Sequence, residues 1–104
     1  MAGKKVKLTA STDCKLRELG ARIKRARLRR NISAENLSME AGIGESTFYA
    51  IERGSSTVSI GAYAAVLFVL GIDSDFDMIA IDEEAKKQLY EQNLVKRKRA
   101  SKQR

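Results

Sequence analysis

The 104-residue chain has no histidine, no tryptophan and no proline, and only one cysteine, Cys14. A zinc site would lack a ligand set, and an internal disulfide cannot form. A single thiol, read as an ordinary side chain near the start of a helix, fits a reducing compartment. Catalysis is short of parts as well. There is no imidazole to act as a base near neutrality, no glycine-rich phosphate loop, and no nucleophile–base pair that the spacing suggests. The chain therefore reads as a non-enzyme with no cofactor. Aromatics are few, three Tyr and three Phe, so any core is aliphatic and modest. No apolar run approaches the ~18 residues of a membrane-spanning helix. The basic start, MAGKKVKLTAS, is not followed by the apolar stretch of a secretory signal. These absences point to a cytoplasmic protein with room for one small domain.

What is present is charge, unevenly spread. Residues 1–31 hold eleven Lys and Arg against two acids, a net +9, whereas residues 32–60 sum to −3. Residues 61–85 hold six acids and no base, and residues 86–104 return to +7. Basic ends around an acidic middle suit a polyanion at the ends and a second partner for the middle. The same runs also serve simply to keep a small domain soluble.

Between Ser33 and Gly54 the chain reads SAENLSMEAGIGESTFYAIERG. Ser33 can accept from the amides of a first helical turn, with Glu35 and Asn36 following as polar first-turn residues. A helix then fits Ala34 to Ala41 and stops at Gly42. A second fits Glu45 to Arg53 and is closed by Gly54. Leu37 and Ala41 mark the inner face of the first, Phe48 and Ile51 that of the second, and Ile43 plugs the turn. Two short helices joined by a glycine turn form a helix-turn-helix, whose second helix can lie in a major groove. The geometry alone also occurs in helical proteins that never meet nucleic acid.

The residues narrow it. Leu37-Ser38, Gly42-Ile43, and Ser46-Thr47-Phe48 leading to Ile51-Glu52-Arg53-Gly54 resemble the Cro/repressor (XRE) helix-turn-helix family, over roughly Leu16 to Ala80. The resemblance implies an all-α, five-helix, lambda-repressor-like domain over residues 13–81, after a flexible basic arm (1–12) and before a short helix and basic tail (82–104). It implies base contacts from Gly44, Glu45, Ser46, Tyr49 and Ala50. It implies phosphate contacts from Arg53, Gly54, Ser55, Thr57 and Ser33, partly through the amides near Gly54 to Thr57. It also implies an ion pair, Arg27–Glu52, between the first helix and the reading helix. The sequence departs from the family at Gly44 and Ala50, whose side chains cannot donate to a base edge, and at Ala34, where a phosphate-contacting glutamine is common. Those departures move specificity towards DNA shape and the basic arms.

Elsewhere the pattern is helical. Leu16, Leu19, Ile23 and Ala26 form an inner stripe on a helix from Thr12 or Asp13 to about Arg30. Ser59 caps a helix over Ile60 to Leu70 that is apolar almost all round, which suggests burial on two sides, one of them by another subunit. Phe68, Phe76, Met78 and Ile79 are the dimer-interface candidates. Phe76, Ile79 and Ala80 fit a short helix, while Ile79 and Ile81 also fit a strand pairing across a dimer. Asp82 caps a further short helix with a Glu83–Lys87 pair, and LVKRKRASKQR reads as a tail without fixed structure. The layout resembles HipB-type antitoxin regulators, implying a homodimer on a palindromic operator in double-stranded DNA, autorepression of a toxin–antitoxin operon, a HipA-type kinase as partner, and a bacterial, nucleoid-associated location. The alternative is an adaptor that binds a kinase through its acidic region, with DNA contact secondary; RNA binding by the arms is a third reading.

Overall fold

The computed structural model describes residues 6–102, with side chains described over residues 6–93. Residues 1–5 of the expected basic arm, residues 103–104 of the tail, and the tail's side chains from residue 94 onward lie outside the described residues. The described chain is helical, with no strand. It divides into two compact units, the break falling after Ser74.

The first unit contains four α-helices: α1 (Ala10–Arg29), α2 (Ala34–Ala41), α3 (Glu45–Glu52) and α4 (Ile60–Leu70). Helix α1 begins earlier than its sequence suggests. Thr9, not Thr12 or Asp13, is the N-cap, its hydroxyl accepting from the Thr12 amide at 3.1 Å. Asp13 instead sits in the first turn, where a carboxylate favours the positive end of the helix dipole, and pairs with Arg17 at 2.7 Å. The caps of α2 and α4 fall where the hydroxyls predict. Ser33 accepts from the Asn36 amide at 3.0 Å and Ser59 from the Ala62 amide at 3.1 Å. Helix α3 ends one residue short of the expected Arg53, which is its C-cap.

Helix α1 packs on α3 and α4, and α2 packs on both α3 and α4. Their inner faces supply the core: Ile23 and Ala26 from α1, Ala34 and Leu37 from α2, Phe48 and Ile51 from α3, and Tyr63, Val66, Leu67 and Leu70 from α4. Leu16, Leu19, Ala41 and Ile43 line its rim, half-buried. Helix α4 shows its second apolar face plainly, with Ile60 and Phe68 about 70% exposed beside Gly61 and Ala64.

A 3-10 helix, Asp73–Met78, spans the break. It resolves the helix-or-strand ambiguity in favour of a helical turn, though Ile79 and Ala80 lie beyond its end. Ala80 takes φ +64°, a left-handed conformation that closes off any strand there. In the second unit, α5 (Glu83–Lys102) is capped by Asp82, whose carboxylate accepts from the Ala85 amide at 2.8 Å. Glu83 pairs with Lys86 at 3.6 Å rather than with Lys87. The backbone stays helical where the sequence suggests an unstructured tail. The reason is local: the segment lacks Gly and Pro, is rich in Glu, Gln, Lys, Arg and Leu, and puts acids first and bases last. Among the described residues no helix is long and apolar enough to cross a membrane.

Candidate nucleic-acid interface

Helix α3 is presented by what holds its inner side. Arg27 donates from Nε to Glu52 Oε2 at 2.8 Å and from a terminal nitrogen to Oε1 at 3.3 Å, a two-pronged contact between side chains only 11% and 7% exposed. Its other terminal nitrogen donates to the Ile32 carbonyl at 3.1 Å, tying in the α1–α2 turn. The guanidinium also lies over the Phe48 ring, 5.7 Å from its centroid. One arginine thus joins α1, the turn and α3. A pair buried this way fixes an orientation more surely than it adds stability, because both charges have given up water.

Gly20 completes the seat. A Cβ there would stand 2.5 Å from the Glu52 carbonyl oxygen and 2.6 Å from that of Ile51, so α1 and α3 approach as closely as they do only because the side chain is missing. Gly54 does the same at the other end and adds a conformational demand. Its φ is +73°, and a Cβ would run into the Leu16 carbonyl and the Arg17 backbone.

With Phe48, Ile51 and Glu52 turned inward, the opposite side of α3 is left to solvent. Ser46, Tyr49, Ala50 and Arg53 follow at i, i+3, i+4 and i+7, a single stripe along the helix. Ser46, Tyr49 and Arg53 are exposed and Ala50 is half-buried. Glu45 is exposed in the first turn, and Gly44 is the N-cap without a side-chain cap. Among the described residues, the base-contact candidates therefore share one end and one face of one helix. An open hollow of about 650 Å³ adjoins them, lined by Ser46, Thr47, Ala50, Thr57, Val58, Ser59 and Ala62. It sets the first turn of α3 against the α3–α4 loop and the start of α4.

The phosphate candidates divide. Arg53 and Thr57 are exposed, and Ser33 is exposed with its oxygen accepting from the Asn36 amide, which leaves its hydroxyl proton to donate. Gly54 is buried, and three of the four amides expected to reach phosphate, those of Gly54, Ser55 and Thr57, have partners within the chain. The Gly54 amide donates to the Ile51 carbonyl and the Ser55 amide to that of Ala50, both at 2.9 Å. The Thr57 amide donates to Ser55 Oγ at 3.2 Å, and the two hydroxyls lie 2.7 Å apart. The loop thus offers hydroxyls, and of these four amides only that of Ser56 makes no hydrogen bond among the described residues.

Tyr63 is a part of this site that its sequence does not announce. Its ring is in the core, and its O–H donates to the Ser55 carbonyl at 2.8 Å, pinning the loop to α4. Burial pushes its phenol above the ordinary value of 10.0. The one available signal is a Tyr, not a Phe, at an inward helical position, since a buried hydroxyl needs an acceptor. Of the interface candidates, Phe68 in the first unit is exposed. In the second unit Met78 and Ile79 are exposed and Phe76 is half-buried.

A family model described as a helix-turn-helix domain matches residues 18–75, more than half of the chain and all of α2, α3 and α4. No curated protein matches the chain significantly.

Proposed function

The chain belongs to the helix-turn-helix domain family, which makes it a DNA-binding regulator, and we propose that it is a dimeric, sequence-specific repressor of its own operon. The observation that carries this reading is the outward stripe of α3, Ser46, Tyr49, Ala50 and Arg53, held by the Arg27–Glu52 pair on its inner side. Glu45 accepts from a cytosine amino group, Ser46 reads small polar differences, and Tyr49 reaches a base edge or packs on a thymine methyl. Gly44 lets the backbone come close. Arg53, Thr57, Ser55 and Ser33 hold phosphates and set register.

A single helix-turn-helix makes few base contacts, so two copies on half-sites about one turn (~34 Å) apart give the usual specificity. The bare α4 face around Ile60 and Phe68 supports such pairing, because a second copy would cover it. Phe76, Met78 and Ile79, in the second unit, are separate interface candidates. Within this reading the operon is of the HipB-type toxin–antitoxin kind, and the acidic residues from Asp73 to Glu84 are where a HipA-type kinase binds. An adaptor with secondary DNA contact draws on the same acidic exposure.

The test is a gel shift with the DNA upstream of the protein's own reading frame against random duplex. Preference for the upstream DNA supports the repressor, and equal affinity for both removes it. Glu45→Gln should then re-rank operator variants, since the amide also pairs with adenine. Sedimentation as a monomer at high micromolar concentration would rule out the dimer.

A further inference from the structure

The basic residues of α1 are not all accounted for by the core and the ion pair. Gly20, Ile23, Ala26 and Arg27 are buried. Lys15, Glu18, Arg22, Arg25 and Arg29 follow at alternating steps of three and four, which puts them in one stripe on the helix's other side. All five are exposed. Among the described residues no carboxylate lies within ion-pair distance of Lys15, Arg22, Arg25 or Arg29. Only Glu18 interrupts the positive charge. At 1.5 Å per residue the stripe is about 21 Å long.

The stripe faces away from the readers of α3. Gly20 seats α1 on the Ile51 and Glu52 carbonyls, the inner side of α3, while Ser46, Tyr49 and Arg53 point the opposite way. The outer side of α1 is therefore the back of the domain relative to those readers. We infer that the α1 stripe is a second nucleic-acid surface, which holds the phosphate backbone of a separate DNA segment and lets the protein bridge two duplexes. The inference rests on α3 being the reader.

Charge and composition favour DNA over a protein at this surface. Duplex DNA carries one negative charge per ~1.7 Å of axis, so a ~21 Å stripe meets more phosphates than it has cations. Three of the four cations are arginines, whose planar forks match phosphate oxygens. The stripe has no aromatic or aliphatic anchor of the kind that fills a pocket on a protein partner; Leu28 lies at its edge.

The experiment uses the full chain, a bead-bound random 30-bp duplex and a labelled second random duplex, at about 0.15 M salt. Wild type captures the labelled duplex. R22Q/R25Q/R29Q should capture about tenfold less or worse, with the salt slope of capture flatter by about 0.9 for each phosphate the variant no longer neutralises. Its melting temperature and its binding of one duplex alone should stay close to wild type. R22K/R25K/R29K, which keeps the charge, should retain capture. Absence of capture by wild type, or undiminished capture by the Gln variant, overturns the inference and leaves the α3 reading standing. An equal loss in binding one duplex alone places the stripe on the same duplex as α3, which also overturns it. If the Gln variant instead loses self-association without DNA, the occupant is the acidic segment of a second copy and not DNA. The α3 reading fails separately, if Y49A/R53Q binds the upstream DNA as tightly as wild type.

Discussion

Among the described residues, those up to Ser74 include ten buried apolar side chains drawn from four helices, whereas none from Asp75 to Asn93 is buried. Both regions are helical, yet for different reasons. The first includes, beside a 20-residue α1, two helices of only eight residues, which water would not support alone and which packing stabilises. The second has a 20-residue helix supported by a cap, favourable composition and charge order. The lesson is that helix length is a poor guide to which region is structurally committed. The first region holds residues in place relative to one another; the second presents charge.

The sharpest break of that contrast should come at the seat of α3. Gly54→Ala requires a left-handed alanine and a Cβ inside the α1 backbone. The two costs together are about 4 kcal/mol. Thermal melting should show the first region unfolded or severely weakened. A variant that melts like wild type would mean α1 and the end of α3 are not in contact in solution.

Next is the ion pair. Arg27→Ala leaves Glu52 buried without its partner and should cost about 3 kcal/mol, while Arg25→Ala, on the exposed side, should cost almost nothing. Exchanging both partners for apolar residues should recover most of the loss, because the pair's desolvation disappears with its attraction. Equal melting temperatures for the two single variants would show that the contact does not hold the helices.

How far this contrast is legible in the sequence depends on where the relevant information sits. Caps at Ser33, Ser59 and Asp82, and the inward faces at Leu37, Phe48 and Ile51, follow from local chemistry and helical period, and the structure places them there. The start of α1 is not legible in this way, because Thr9, Thr12 and Asp13 are all able caps and only the chain's geometry selects among them. The close approach at Gly20, the Tyr63 clamp and the spent amides near Gly54 join residues distant in sequence or need a specific loop conformation. Periodicity carries no record of such contacts. The helix through Lys102 escapes sequence reading for the opposite reason, since a density of positive charge suggests disorder although every residue in it tolerates a helix.

A smaller effect sharpens the comparison from within the core. Tyr63→Phe removes the hydrogen bond to the Ser55 carbonyl and should cost about 1 kcal/mol near neutral pH. Burial raises the phenol's folded value above 10.0, so the folded state holds this proton more tightly than the unfolded chain does. Tyr63's contribution is therefore complete below pH 10 and is lost as pH rises through the raised folded value. The stability gap between wild type and variant should narrow above about pH 10. Urea melts at two pH values on either side measure it, and a gap that stays constant would place the phenol in water.

The smallest effect on stability, close to zero, is expected from removing residues 95–104. Every buried side chain among the described residues lies at or before Leu70, so the truncated protein should melt within about 0.5 kcal/mol of the full chain. What should change is the response to salt. Lys96, Arg97, Lys98, Arg99, Lys102 and Arg104 put six positive charges into ten residues with almost no apolar anchor, which suits a phosphate backbone better than a protein groove. Each phosphate they hold adds about −0.9 to the slope of log affinity against log salt. Truncation should flatten that slope and weaken upstream and random DNA alike, because backbone contacts carry no sequence information. If the tail serves a protein partner instead, the slope will stay as it is while partner binding falls. That outcome would assign the second region to protein recognition and leave DNA to the first.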